Sequence, residues 1–335
     1  MSKSLTYRDA GVDIKKGSQA VERIKAIAET THRPEVMGGI GSFAGAFHWA
    51  DSGTLLAGAD GVGSKLLVAQ AVGRHDTVGI DLVAMNVNDV LANGGEPLFF
   101  LDYIAVGYLD PSLIAELVEG IGEGCRQAGC ALLGGETAEM PALYGRGVYD
   151  LAGFVVGRQI KQWPSPVPGD RILGVASSGF HSNGYALIHR IIADHDLAWG
   201  QVYPACQQKT LGDCLLMPTR IYVDPIRRLW DRYLVRGLAH ITGGGILENL
   251  PRTLAPGQGA KIKRGTWPIP ELFSWFAALG NVAETEMFRT FNMGIGFMVV
   301  VEVSEAAAAL DFLHQAGLEA FDVGEVVEQP GVVLV

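Results

Sequence analysis

Apolar and polar positions along the first half of the chain predict helices and strands that follow one another. Residues 12–31 place apolar side chains at helical spacing, and residues 81–93 do the same. Residues 111–128 also fit a helix, with Pro111 in its first turn. Residues 98–106 form a near-continuous apolar run, which is typical of a buried strand. The pattern therefore predicts a domain that mixes helices with sheet.

The same pattern continues to the C-terminus. Further strands are predicted at 54–59, 130–133, 151–157, 171–176 and 296–303, and further helices from about 183, at 219–234 and at 305–316. The connections vary in length, so mixed sheets fit the pattern as well as a regular parallel sheet. Residues 159–170 hold three prolines and a glycine, Pro164, Pro166, Pro168 and Gly169, which indicate a domain boundary. We predict one domain over residues 1–168 and a second over 169–335.

Composition narrows the class of protein. The chain has 335 residues, is 48% hydrophobic and carries a net charge of −10, which disfavours a broad basic surface for nucleic acid. The N-terminal stretch lacks the apolar core of a signal peptide, and no apolar run approaches the length of a membrane helix. The cysteines match no zinc-binding spacing, so free thiols in the cytoplasm are expected at Cys125, Cys130, Cys206 and Cys214.

The loop at residues 58–65, Gly-Ala-Asp-Gly-Val-Gly-Ser-Lys, carries the first chemical signal. It resembles a phosphate loop but fails that pattern, because Ser64 precedes Lys65 rather than following it. Asp60 within the loop would repel phosphate unless a divalent cation lies between them. The loop therefore indicates a metal and nucleotide site outside the P-loop fold.

Acidic side chains recur at the ends and middles of apolar elements. They are Asp60, Asp81, Asp89, Asp102 and Glu136. Carboxylates are seldom buried unless they are paired or bind a metal, so the set favours a cation site over helix capping and ordinary salt bridges. On the helix predicted at 81–93, Asp81 and Asn88 share one face and Asp89 lies about 80° round from Asp81.

Two lysines and two glycine-rich turns are candidate anion contacts. Lys65 follows three loop glycines, whereas Lys25 lies in a basic helix, where a solvated lysine is the alternative. The turn at 177–184 follows a strand and opens a helix, an arrangement whose free N–H groups bind anions. Residues 242–245, Thr-Gly-Gly-Gly, repeat the arrangement. A plain helix cap and a tight turn are the structural alternatives.

Together these residues resemble the phosphoribosylformylglycinamidine cyclo-ligase (aminoimidazole ribonucleotide synthetase) family almost end to end. The matching motifs are YRDAGVDI at 7–14, RPEVMGG at 33–39, DGVGSK at 60–65, HDTVGIDLVAM at 75–85, EPLFFLDY at 96–103, GGETAEMP at 134–141, HSNGY at 181–185, PTRIYV at 218–223, TGGG at 242–245 and FNMG at 291–294. Departures are few: Ser64 replaces the usual Thr, Phe180 stands where Pro is common, and Ala142 where Gly is common.

The resemblance implies two mixed-sheet α/β domains and a homodimer whose N-terminal halves form a barrel-like interface near ATP. It implies conversion of formylglycinamidine ribonucleotide and ATP to aminoimidazole ribonucleotide, ADP and phosphate. It also implies that Mg²⁺ takes part and that K⁺ is a second, non-essential ion. Lys25, Lys65 and His181 are then expected to be catalytic. The implied nucleotide contacts are Gly61, Gly63, Ser64, Lys65, Asp81 and Asn88, and the implied metal ligands are Asp60, Asp89 and Glu136. The implied substrate contacts are Ser178, His181, Ser182, Asn183, Thr242, Gly243, Gly244 and Gly245.

Two other interpretations stay open at this stage. A kinase similar to thiamine monophosphate kinase, or another ATP-dependent enzyme with related loops, is the nearest enzymatic alternative. A nucleotide-binding regulator without catalysis is a second, but it would be expected to lack the acidic side chains. Selenophosphate synthetases typically use a reactive Cys or selenocysteine near the N-terminus, whereas the first cysteine here is Cys125.

Overall fold

The computed structural model describes residues 4–335; residues 1–3 of the N-terminal stretch lie outside the described range. The helices are α1 (Ile14–Glu29), α2 (Leu66–Val72), α3 (Val78–Ala92), α4 (Pro111–Ala128), α5 (Tyr185–Asp194), α6 (Leu211–Leu215), α7 (Val223–Trp230), α8 (Gly245–Asn249), α9 (Glu271–Leu279), α10 (Glu284–Thr290) and α11 (Ala306–Gln315). The strands are β1 (Val36–Met37), β2 (Gly45–His48), β3 (Thr54–Gly61), β4 (Gly95–Val106), β5 (Ala131–Glu139), β6 (Tyr149–Gln159), β7 (Arg171–Ala176), β8 (Val235–His240), β9 (Gly259–Ile262), β10 (Ile295–Val301), β11 (Ala320–Val327) and β12 (Gly331–Leu334).

The strands form two six-stranded sheets, one from each half of the chain. Their strand orders are β1-β2-β3-β6-β4-β5 and β12-β9-β11-β7-β10-β8. Each sheet has one parallel pair, β4–β5 or β9–β12, and its other pairs are antiparallel. The predicted mixed-sheet α/β class is therefore confirmed. The proline-rich segment 159–170 joins the last strand of the first sheet to the first strand of the second, and the boundary at residue 168 stays a prediction.

The first sheet has a buried face and an accessible face, as β6 shows most clearly. Tyr149, Leu151 and Val155 of β6 are buried, whereas Asp150 and Phe154, between them, are exposed. The buried face packs against α3, which also contacts α4, α7 and β8. Because α3 touches both sheets, it is buried nearly all round its circumference. This helix positions the functional residues that follow.

Two further features of the chain concern its helices and its cysteines. Within the described range, none of the helices combines the length and the apolar character needed to cross a bilayer. All four cysteines are free thiols, as predicted.

Glycines allow α3 and α4 to approach each other closely. A Cβ added to Gly79 of α3 would lie 2.3 Å from the backbone nitrogen of Ile121 and 2.6 Å from the carbonyl oxygen of Leu117. A Cβ on Gly120 of α4 would lie 2.3 Å from the carbonyl oxygen of Asp76. Neither glycine can gain a side chain unless the helices separate.

We predict that Gly79→Ala lowers the free energy of unfolding by about 2–3 kcal/mol, because the added methyl group overpacks the contact between the two helices. Gly122→Ala on α4 is the matched control. Its Cβ would approach nothing more closely than Arg126 Nη1 at 3.6 Å, so better helix propensity should raise stability by up to ~1 kcal/mol. Unfolding in guanidinium measures the free energy of unfolding of both variants. Equal changes in the two would contradict the explanation that Gly79 is required for the close contact between α3 and α4.

Candidate functional site

A cavity of about 490 Å³ lies between the two domains, beside the loop that carries Asp60. Its lining residues are Asp60, Gly61, Val62, Gly63, Met85, Asp150, Leu151, Ala152, Ser182, Asn183 and Thr242. The structure thus brings the acidic loop and parts of both predicted anion-binding turns to one place. Its size falls within the usual range of small-molecule sites.

Asp60 is the penultimate residue of β3 and lies on the face that packs against α3. Its partner across the sheet is Gly153, which belongs to the buried set of β6. The Asp60 side chain keeps contact with solvent through the cavity, yet the protein surrounds it closely enough that burial raises its pKa to about 6. The Gly61 N–H and His240 oppose this rise, and the neighbouring Asp89 carboxylate adds to it. A cation between the two carboxylates would relieve their repulsion.

Asp89 on α3 is held by the second domain. Its Oδ1 lies 2.8 Å from Nδ1 of His240, at the end of β8. Asn88 next to it donates from Nδ2 to the Arg220 carbonyl at 2.9 Å and accepts from the Tyr222 N–H at 3.0 Å. Asn88 is fully buried, so its amide joins the two domains and is not available for the predicted nucleotide contact.

Glu136 does not join the other two predicted metal ligands. In the sheet register it stands in line with Tyr103, Ala152 and Gly61, on the accessible face, whereas Asp60 lies on the buried face. Three strand spacings separate Glu136 from β3, or about 14 Å. Within residues 4–335, no group of three His, Cys, Asp or Glu side chains is arranged to hold a metal ion. The predicted three-carboxylate site is therefore not assembled within one copy of the chain.

Lys65 is buried and has no donor left for phosphate. Its Nζ lies 2.8 Å from the Asp81 carboxylate and donates to the carbonyls of His181 at 3.1 Å and Met217 at 2.7 Å. Asp81 Oδ1 also accepts from the Thr219 N–H and hydroxyl, at 2.7 Å and 2.6 Å. Both side chains are 0% exposed. Neither side chain is therefore available for the nucleotide contact predicted for it, and the pair instead joins the two domains.

The rest of the acidic loop divides between the cavity and the core. Gly61 and Gly63 line the cavity, and Gly63 has a φ of +69°, a conformation that favours glycine. A Cβ on Gly61 would lie 3.0 Å from the Leu151 carbonyl. Ser64 does not line the cavity, and its carbonyl accepts from His189 Nε2 at 2.8 Å. Of the nucleotide contacts predicted in this loop, Gly61 and Gly63 line the cavity, and Ser64 and Lys65 do not.

Lys25 remains accessible, unlike Lys65. It lies on α1, where its Nζ pairs with Glu22 at 2.9 Å and its side chain is 34% exposed. A Cβ on Gly41 would lie 3.9 Å from Lys25 Nζ, so the lysine borders the glycine-rich segment 38–47. That segment lines a separate, mostly apolar cavity of about 520 Å³. Lys25 therefore keeps a cation beside a ligand-sized space.

His181 lies under the cavity rather than in its lining. The residue is 1% exposed and has a φ of +59°, an uncommon conformation for a residue other than glycine. Its Nε2 accepts from the Ser178 N–H at 3.2 Å, which leaves Nδ1 to carry the proton, and Nδ1 has no partner in the described part of the chain. Burial, then nearby His240 and Lys65, hold the His181 pKa well below its usual value. A neutral, enclosed imidazole suits a positioning role better than the predicted proton transfer.

The turn around His181 presents only part of itself to the cavity. Ser182 and Asn183 line the space, and Ser182 Oγ also donates to Asp81 Oδ1 at 3.1 Å. Ser178 donates from Oγ to the Pro218 carbonyl at 2.5 Å and lies in a different, smaller cavity. Phe180 packs on Phe273 with ring centroids 4.2 Å apart, so it anchors the turn in the core.

In the second turn, Thr242 lines the cavity and its neighbour Gly243 is exposed. The other two glycines are required by packing. A Cβ on Gly245 would lie 2.0 Å from the Phe288 carbonyl, and Gly244 has a φ of +94°. The tight-turn explanation therefore accounts for Gly244 and Gly245, and ligand access concerns Thr242 and Gly243.

The sequence patterns did not predict several residues that lie at the site. His240 contacts Asp89, and Asp150 lines the cavity. Arg220 lies close enough to His181 to depress its pKa, yet no carboxylate among the described residues pairs with the Arg220 side chain. The position of His240, two residues before Thr242 of the Thr-Gly-Gly-Gly turn, was an available signal. Asp150 gave none, since only the sheet register brings β6 beside β3.

Comparisons with known proteins agree with one another. The N-terminal domain of AIR synthase related proteins matches residues 41–159, and their C-terminal domain matches residues 167–335. The phosphoribosylformylglycinamidine cyclo-ligase of Gloeothece citriformis is 50% identical over 336 residues, covering 98% of each chain. That of Myxococcus xanthus is 53% identical, covering 96% of this chain and 95% of its own. The solved structure of AaThiL complexed with AMPPCP and TMP has a similar fold, with a TM-score of 0.63, 18% identity and coverage of 93% and 91%.

We predict that Lys65→Met lowers the free energy of unfolding by about 3–5 kcal/mol, because it leaves the Asp81 carboxylate buried without its cation. Lys25→Met is the matched control: the side chain is partly exposed, so the change in stability should stay within about 0.5 kcal/mol. Equilibrium unfolding followed by circular dichroism measures both variants. A stable Lys65→Met protein would show that the ion pair does not join the domains.

Proposed function

This chain belongs to the phosphoribosylformylglycinamidine cyclo-ligase family, and we propose that it closes the imidazole ring of aminoimidazole ribonucleotide. The substrate is formylglycinamidine ribonucleotide, and ATP is consumed to ADP and phosphate. In this reaction an amidine nitrogen attacks the formyl carbon and the formyl oxygen leaves. An amide oxygen leaves poorly, so the γ-phosphoryl group of ATP is first transferred to it, and phosphate then leaves from the resulting imidate.

The cavity between Asp60 and the two turns is the observation that carries the proposal. Its lining combines the Asp60 carboxylate with the polar side chains of Ser182, Asn183 and Thr242. Phosphoryl transfer demands mainly that reactants be held in line and that charge be stabilised. We propose that Ser182, Asn183 and Thr242 orient the ribonucleotide, with the Gly243 backbone close to its phosphate or ribose.

We propose that Mg²⁺ is the metal of the site and that K⁺ is a second, non-essential ion. The repulsion between Asp60 and Asp89 and the raised pKa of Asp60 fit a pair of carboxylates that shares a divalent cation. Asp60 and Asp89 would hold the ion, and its charge would neutralise phosphate oxygens of ATP. Glu136 is left out of this proposal.

We assign the nucleotide contacts to residues that a ligand can reach. Gly61 and Gly63 let a phosphate approach the backbone of the acidic loop, and Lys25 supplies a cation near the glycine-rich segment 38–47. His181 is proposed to position the Ser178–Asn183 turn through its bond from the Ser178 N–H. Arg220, which lacks a carboxylate partner among the described residues, is an additional candidate for the anionic substrate.

We propose that the chain acts as a homodimer joined through its N-terminal domain, residues 1–168, with residues 169–335 binding the substrate. The outer face of the first sheet keeps Phe154 and Leu133 exposed, and α1 exposes more than half of Ile24 and Ile27. Apolar side chains gathered on one domain are typical of an interface between copies. The cytoplasm is the proposed compartment, since four free thiols suit a reducing environment.

We predict that Asp60→Asn lowers kcat for ATP-dependent formation of aminoimidazole ribonucleotide at least 100-fold, because the amide cannot replace a charged ligand. The same change should raise stability without Mg²⁺ by about 1 kcal/mol, since it removes a carboxylate whose charge is opposed first by burial and then by the neighbouring Asp89. Steady-state kinetics and thermal unfolding measure the two effects. Near-full activity would remove Asp60 from the site, and ADP release only with thiamine monophosphate would contradict the cyclo-ligase function.

We predict that Phe154→Glu converts the dimer to a folded monomer, because it places a charge in the apolar contact between the sheets of two copies. Val303→Glu is the control, since Val303 is a similarly exposed apolar residue in the second domain. Light scattering after gel filtration should give a dimer for the wild type and Val303→Glu. A dimeric Phe154→Glu protein would refute the proposed interface.

A further inference from the structure

A second cavity between the domains, of about 420 Å³, lies at the C-terminal end of α3. Its walls come from the end of α3, the segment 159–166, β8 and residues 252–255. None of its lining residues lines the cavity that contains Asp60. It is therefore a separate space, and neither the motifs nor the proposed reaction uses it.

The charge of this cavity is opposite to that of the protein. Lys161, Arg236 and Arg252 line it, and no carboxylate does, although the whole chain carries a net charge of −10. Arg236 Nε lies 3.3 Å from the buried Asp170. Arg252 lies over the Phe43 ring at 5.1 Å, and neither Arg252 nor Lys161 has an ion pair or side-chain hydrogen bond among the described residues. Two cations are thus left without a counter-charge.

One hydrogen-bond donor at this cavity also lacks an acceptor. Trp163 Nε1 is buried and has no hydrogen-bond partner among the described residues, whereas Arg236 Nε lies beside the Asp170 carboxylate. A buried donor without an acceptor destabilises the folded protein, because it has lost its hydrogen bonds to water. An oxyanion in the cavity would supply the acceptor that Trp163 lacks and the negative charge that Lys161 and Arg252 lack.

We propose that this cavity binds a phosphorylated small molecule, with its phosphate held by Lys161, Arg236 and Arg252. Guanidinium groups bind phosphate oxygens in pairs, and an ammonium group adds a point charge. The volume is within the range of small-molecule sites and leaves room for a sugar or nucleoside beside the phosphate. The proposal does not depend on the reaction proposed above.

The position of the site gives binding a structural consequence. A ligand there contacts the connecting segment and both domains at once, so it holds the domains in the observed arrangement. It also contacts β8, whose Arg236 lines this cavity and whose His240 holds Asp89 at the other end of the strand. Binding is therefore expected to stabilise the strand that positions an acidic residue of the reaction site.

Hydrogen exchange and calorimetry on the full-length protein test the proposal, with ribose 5-phosphate, AMP and inorganic phosphate as probes. The two organic phosphates are expected to protect amides within 159–166 and 252–255. They should bind at least tenfold more tightly than inorganic phosphate. Protection confined to the 58–65, 177–184 and 242–245 segments would overturn the proposal, and so would equal affinities for all three probes.

A paired variant localises the effect. Lys161→Gln with Arg252→Gln should weaken binding at this site at least tenfold, because each lost charged hydrogen bond costs roughly that factor. Protection at 177–184 and 242–245 should not change. Lys261→Gln with Lys263→Gln removes the same charge from exposed positions of the second domain and should leave affinity unchanged. Equal losses in the two double variants would show that net charge, and not this cavity, attracts the anion.

Discussion

The buried ion pair between Lys65 and Asp81 is the interaction on which the arrangement of this protein depends. Taking two charges out of water costs several kcal/mol each, and the cost is offset only when geometry and additional hydrogen bonds are good. Here the additional bonds come from the second domain, through Thr219 and the carbonyls of His181 and Met217. The two domains must therefore meet in one orientation for the charges to be tolerated.

That orientation also builds the reaction cavity. Ser182 donates to Asp81 and at the same time lines the cavity, so the ion pair and the substrate contacts share a residue. His240 holds Asp89 from the opposite domain in a similar way. The cavity is thus made of groups whose positions are set by contacts behind them, as pre-organised catalysis requires.

The acidic side chains near the cavity have different roles. Asp81 is neutralised by Lys65 and is structural, whereas Asp60 lines the cavity with a raised pKa and has no ion-pair partner within residues 4–335. An uncompensated carboxylate beside a second one is unfavourable in the folded protein unless a ligand requires it. The contrast between these two aspartates distinguishes a residue that we propose binds a ligand from one that holds the domains together. The sequence motifs that contain them do not make this distinction.

The sequence by itself determined the mixed-sheet class, the positions of the long helices and the family, because local periodicity and contiguous motifs are written along the chain. It also located the loop of Asp60 and the turns of Ser182 and Thr242. It did not predict that Lys65 and Asn88 join the domains, since burial depends on what packs over a residue from far along the chain. Likewise, only strand register, which is set by pairing between distant segments, separated Glu136 from Asp60 and brought β6 beside the cavity.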